Sequence, residues 1–79
     1  MLVDVYFEDG AVKMEMHEAR SKNLALCQRV YRLANAEGIS ALWDRCDRNS
    51  GRWIVATFGA SRKTFNRLVR SAKQQLRAA

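Results

Sequence analysis

The hydrophobic period of this chain switches from two to 3.6 and then does so again, and that alternation restricts the fold more than any total does. "LVDVYF" alternates apolar and polar residues and runs into "EDG", a turn sequence. "AVKMEM" alternates again, with Val12, Met14 and Met16 on one side and Lys13, Glu15 and His17 on the other. Two such runs across Asp9-Gly10 predict a β-hairpin, because that dipeptide accepts the positive φ of a tight turn. From Ser21 the spacing becomes helical. Leu24, Cys27, Tyr31 and Ala34, with Leu26, Val30 and Leu33, share one half of the wheel, and Gln28, Arg29, Arg32 and Asn35 share the other. This predicts an amphipathic helix closed by Gly38.

The pattern then returns. "ISALWDRC", the turn "DRNSG" and "RWIVATF" predict a second hairpin, and Gly59 and Ser61 lead into a last helix. Phe65, Leu68, Val69, Ala72 and Leu76 form the apolar stripe of that helix. The order ββα-ββα predicts an α+β two-layer sandwich, a four-stranded, mainly antiparallel sheet with two helices on one face. The expectation is a single domain over 1–79, with a first ββα half at 1–37 and a second at 38–79. Sliding the chain by 41 positions lays Gly10 on Gly51, Ala19 on Ala60, Lys22 on Lys63 and Arg29 on Arg70. The matched order of elements, more than these identities, suggests a pseudo-repeat.

With 79 residues, the chain buries roughly 60–65% of its unfolded surface, enough for one thin core. "MLVDVYFEDG" carries acids where a secretory signal needs bases, and no run approaches the roughly 20 apolar residues of a membrane span. The expected compartment is cytoplasmic, with no membrane partner. Cys27 and Cys46, in apolar surroundings, read as reduced core thiols rather than a bridge.

Chemistry finds few footholds. His17 is the one histidine and the cysteines lack C-x-x-C spacing, so no metal site assembles. Cys27 falls on the apolar face of a helix and Cys46 has no base beside it, so neither reads as a nucleophile. Glu8/Asp9 and Asp44/Asp47 flank turns, where acids serve local hydrogen bonds. "FEDG" and "FGAS" are too poor in glycine for a phosphate loop. The expectation is a protein that is not an enzyme and uses no cofactor or metal.

Charge is more informative. The balance is 14 bases against 8 acids, or +6, and it is uneven. Residues 1–40 hold five bases against six acids; residues 41–79 hold nine bases against two acids, Asp44 and Asp47. In "SRKTFNRLVRSAKQQLR", Arg62, Lys63, Arg67, Arg70, Lys73 and Arg77 meet no acid. Charges opposite an apolar stripe are the ordinary solvent face of a helix, yet such a face usually mixes Glu with Lys in i,i+4 pairs. Here like charges repel one another, which a polyanion would relieve.

Both helix starts, "ARSKN" and "ASRKT", offer a serine as N-cap, Ser21 or Ser61. Both also place bases where the helix dipole is already positive, at a cost of roughly 0.3–1 kcal/mol per charge. Solvated bases can be tolerated there, but N–H groups, a hydroxyl and Lys/Arg together also suit phosphate.

If the helices cover Ile54, Ala56 and Phe58, then Trp53 lies on the open sheet face, with Tyr6 or Trp43, beside Arg45, Arg48 and Arg52. Such rings would suit base stacking or a partner contact; they would equally cap a small core or join a homodimer.

"SGRWIVATFGASRKTFNRLVRSAKQQL" resembles the end of a double-stranded RNA-binding domain, in which a strand precedes a helix starting with serine and two bases. The resemblance implies that Ser61, Arg62 and Lys63 grip phosphate and that Ala72 and Leu76 point inward. It covers about a third of the chain. The family's helix-first order and glycine-rich strand turn are missing here, and Phe65 stands where that family has a small residue.

The leading expectation is a nucleic-acid binder with little sequence specificity. Ser61, Arg62, Lys63, Arg67, Arg70, Lys73 and Arg77 would follow the backbone, with Lys22, Arg29 and Arg32 as a second set. The alternative is a protein-binding module for an acidic protein face, of the accessory or inhibitor type that phages and mobile elements encode. Either would act as a monomer or a homodimer.

Overall fold

The computed structural model describes the backbone of residues 2–7 and 12–78 and the side chains of residues 15–78. Its elements run β1 (Leu2–Phe7), β2 (Val12–Ser21), α1 (Leu24–Ala36), β3 (Ser40–Arg45), β4 (Trp53–Phe58) and α2 (Arg62–Ala78). The architecture is α+β. Antiparallel strands β2, β4 and β3 carry the two helices on one face, and β1 registers antiparallel along β2, in the order β1-β2-β4-β3. The Asp9-Gly10 turn lies outside the described residues.

Directly opposed residues of neighbouring strands share a face. On one face Ala19 and Trp43 oppose Val55, His17 and Ala41 oppose Thr57, and Arg45 opposes Trp53. This face meets the helices. Val55 joins Cys27, Val30, Ala34, Phe65, Leu68 and Ala72 in one core, with Ala19, Ala41, Trp43 and Trp53 packed around it. Of the two orientations open to β4, the structure takes the one with Trp53, Val55 and Thr57 under the helices and Ile54, Ala56 and Phe58 facing outward. Packing explains the choice. The rings of Trp43 and Trp53 meet at 5.8 Å with a 58° tilt and close one edge of the core beneath α1.

Strand β2 is turned the same way. His17 is only 4% exposed and lies on the helix side, its ring stacked on Phe65 at 5.9 Å. Its Nε2 sits 2.7 Å from Glu15 Oε2, so the carboxylate satisfies the buried ring. Met16 consequently occupies the outer face opposite Phe58.

Each helix is capped by a side-chain oxygen. Asn23, not Ser21, caps α1: its Oδ1 accepts from Leu26 N at 3.2 Å, while Ser21 ends β2 and its Oγ accepts from Asn23 N. Ser61 Oγ accepts from Thr64 N at 3.1 Å at the start of α2. Helix α1 ends as expected at Gly38, whose φ of +75° an L side chain rarely adopts. Gly38 N donates to Asn35 O and Ile39 N to Ala34 O, the paired bonds of a Schellman motif.

The helices run antiparallel, since Glu37 at the end of α1 reaches Arg67 and Arg29 near its start reaches Gln75. Their buried positions correspond at a spacing of 38 residues rather than 41: Cys27 with Phe65, Val30 with Leu68, Ala34 with Ala72, and the caps Asn23 with Ser61. Of the residues that favour 41, Gly51, Lys22, Lys63 and Arg70 are exposed, where packing sets no register.

Cys27 is a core thiol, and burial pushes its pKa up. Cys46 is not: it is half-buried in the β3–β4 turn, where its Sγ accepts from Arg20 Nε at 3.2 Å. Both cysteines are free. Among the described residues, no helix is long and apolar enough to cross a membrane.

Candidate nucleic-acid interface

Helix α2 has 17 residues, about 25 Å of axis at 1.5 Å per residue. Phe65, Leu68 and Ala72 are buried and Val69 and Leu76 half-buried, which fixes its rotation over the sheet. At 100° per residue, Arg62, Lys63, Asn66, Arg70, Lys73 and Arg77 then fall within about 100° of one another. That arc lies on the flank away from α1. All six are exposed. The bases thus run from the outer crest of the helix, at Lys63, round to the side that overlooks β2, where Asn66, Arg70 and Lys73 share a cleft with Glu18 and Ala19. Lys73 and Arg77 share the adjoining cleft with Ser21, Asn23, Leu26 and Leu76, at the entrance to α1.

Arg67 stands apart from this set. It points toward α1, where Nη1 and Nη2 donate to the two carboxylate oxygens of Glu37 at 2.9 and 2.6 Å. This bidentate fork holds the Glu37 carboxyl below its ordinary range and raises the guanidinium. Arg67 is thus partly neutralised within the protein and leaves the free cationic run. Arg29 departs too: half-buried in the seam, it donates from Nη1 to Gln75 Oε1 at 2.8 Å. Lys22 and Arg32 remain exposed, Lys22 between the two residues that line the cleft with Arg77.

The other five cations of α2 differ from Arg67. Among the described residues, no carboxylate pairs with Arg62, Lys63, Arg70, Lys73 or Arg77. Glu15 faces His17, and Glu18 lies 3.1 Å from Arg20. The spacings Arg70–Lys73 and Lys73–Arg77 therefore leave like charges adjacent on an exposed helix, each opposing folding by roughly 0.2–0.5 kcal/mol.

The hydroxyl of Ser61 is spent locally, since it accepts from Thr64 N and donates to Thr64 Oγ1 at 3.1 Å. Its proton is therefore not aimed at a ligand. Trp43 and Trp53 are half-buried on the helix side, so neither offers an open stacking platform, and the side chain of Tyr6 lies outside the described residues. Arg45 instead lies over the Trp53 ring, 5.1 Å from its centroid, an arrangement favoured by the negative face of the indole. Arg48 and Arg52 are exposed around the β3–β4 turn. There Asp47 accepts from Asn49 N and Ser50 N at 2.7 and 2.6 Å, and these bonds lower its pKa.

Two features escape a reading of the sequence. Glu37 emerges as a partner only once the helices are known to be antiparallel, which brings the end of α1 beside the first half of α2. The outward apolar face of β4 does leave a signal, because "WIVATF" is apolar at both parities.

Compared with known proteins, the chain matches no family model, no curated protein and no solved structure. Its strand-first order also differs from the helix-first order of double-stranded RNA-binding domains, which the last third of the chain resembles.

Proposed function

We propose that this protein binds the phosphate backbone of nucleic acid along the outward flank of α2, with little sequence specificity. One observation carries the reading: Arg62, Lys63, Arg70, Lys73 and Arg77 line one flank of a helix without an internal counter-charge among the described residues. A helix that needed bases only for propensity would offset them with Glu at i,i+4. Asn66 is the base-reading type of side chain within the arc, which fits backbone contact more than sequence readout. Ser61 serves as the cap that orients the first turn, and Arg67 as the tie to α1. Lys22 extends the positive surface past the entrance to α1.

The finer architecture belongs to the same proposal. We read the chain as two ββα halves related by a pseudo-two-fold axis, supported by the 38-residue spacing of buried positions and caps. Only the second half carries the cationic flank.

The reading is tested by retention on immobilised duplex DNA, duplex RNA and single strands at about 50 and about 200 mM salt. If five phosphates are neutralised on duplex DNA, affinity falls roughly 500-fold between those salts. Retention that is missing at the lower salt, or unchanged at the higher, would remove the proposal. Retention lost on nucleic acid but kept on an acidic protein column would favour the acidic-face alternative.

A further inference from the structure

Strand β4 is apolar on both faces. Trp53, Val55 and Thr57 lie under the helices, whereas Ile54, Ala56 and Phe58 turn to the opposite side. The Cα envelope measures 16 Å through its thinnest direction, room for one sheet and one helix layer. An antiparallel sheet with one face in water ordinarily alternates apolar and polar residues, and a strand apolar on both sides marks a sheet covered on both. Met16, opposite Phe58, and Leu42, opposite Ala56, widen the outward patch; Leu42 is 45% exposed, Ile54, Phe58 and Met16 are half-buried, and Ala56 between them is 3% exposed. The charged residues of this face, Glu18, Arg20 and Asp44, sum to one negative charge, so a polyanion is a poor occupant for it.

We propose that the outward face docks against the same face of a second copy of this chain, about a two-fold axis parallel to β4. Charge complementarity selects that occupant and that axis. Arg20 and Asp44 flank Ile54 in a single cross-strand row. Rotation about an axis along β4 keeps each row at its own height and exchanges its ends. Arg20 of each copy then meets Asp44 of the other, twice, while Ile54 meets Ile54 and Phe58 meets Phe58. An axis across the strands would instead set Arg20 opposite the row of Met16, Phe58 and Ser40, where no acid waits. Arg20 and Asp44 are both exposed; Arg20 also pairs with the near-buried Glu18 at 3.1 Å and donates from Nε to Cys46 Sγ, so the partner's Asp44 would be a second acid on a guanidinium that keeps further N–H donors. Sheets meeting this way pack about 10 Å apart with strands within about 30°. The two α2 flanks remain on the outer surfaces, so this inference stands apart from nucleic-acid binding.

Buried area does not by itself set affinity, so association is followed over concentrations from about 1 μM to about 1 mM. Sedimentation equilibrium across that range should take the mass from 9.0 kDa to twice that value. Arg20→Asp alone, or Asp44→Arg alone, sets like charges against each other and should weaken the dimer at least about tenfold. Far-UV circular dichroism checks that both variants fold. Mixed in equal amounts, the two variants restore both opposite-charge contacts and should associate within about threefold of the natural chain. A mass fixed at 9.0 kDa at every concentration overturns the proposal. So does a dimer that neither variant weakens, or a pair of folded variants that fail to associate when mixed.

Discussion

Cys27, Val30 and Ala34 are the buried residues of α1 and Phe65, Leu68 and Ala72 those of α2, at a constant spacing of 38 residues. The outer flanks of the two helices do not match. Where α2 has Arg62, Lys63, Asn66, Arg70 and Lys73, α1 has Leu24, Ala25, Gln28, Arg32 and Asn35. The same packing is thus met once with a single base on the flank and once with four, before Arg77 adds a fifth. What both helices share is what folding demands: three inward residues and an oxygen cap. What one helix has alone is not set by that shared packing, and its like charges oppose folding slightly. The cations of α2 are therefore the part of the molecule that the proposed binding addresses.

The largest effects should fall on the shared part. Leu68→Ala, at a site 1% exposed, should cost about 3 kcal/mol of unfolding free energy in urea. Val30→Ala, its counterpart in α1, should be smaller but clear, because fewer buried atoms are removed. Arg70→Glu combined with Lys73→Glu should change stability by no more than about 0.5 kcal/mol while weakening nucleic-acid binding by at least about 30-fold. A large loss of stability in that variant would mean the flank serves the fold after all. The caps come next: Asn23→Ala and Ser61→Ala should each cost about 1 kcal/mol, and a negligible cost at either would break the correspondence between the helix starts.

The smallest effect concerns the tie between the helices. The folded-state pKa of Glu37 is depressed by Arg67, so its contribution is present above the ordinary carboxylate range near 4.3 and is lost as pH falls through the lower folded value. The stability gap between the natural chain and Glu37→Gln should therefore be visible at neutral pH and close below about pH 4. Both side chains are exposed, so the gap will be slight and should shrink further in high salt.

Much of this was legible from periodicity. Both helices, the second hairpin and the closing Gly38 follow from spacing and turn chemistry. The inward side of β2 and β4 was harder to read, for a physical reason. On β4 both parities are apolar, so alternation cannot select the buried one. On β2 the alternation points the wrong way: His17 is buried because Phe65 stacks on it and Glu15 bonds it, contacts that belong to tertiary structure. The basic run of α2 was visible as composition. The internal pairing that sets Arg67 apart from the other five cations required the antiparallel helix packing that brings Glu37 alongside.

The salt dependence of duplex DNA binding tests the role of the α2 flank most directly, measured for the natural chain, for Arg70→Glu/Lys73→Glu and for Arg32→Glu on the matching flank of α1. With five phosphates neutralised, log affinity should fall against log salt with a slope near −4.5; the α2 variant should bring it to about −2.7 and the α1 variant should leave it unchanged. Equal slopes for all three proteins, or an equal loss from either helix, would contradict a binding surface confined to α2.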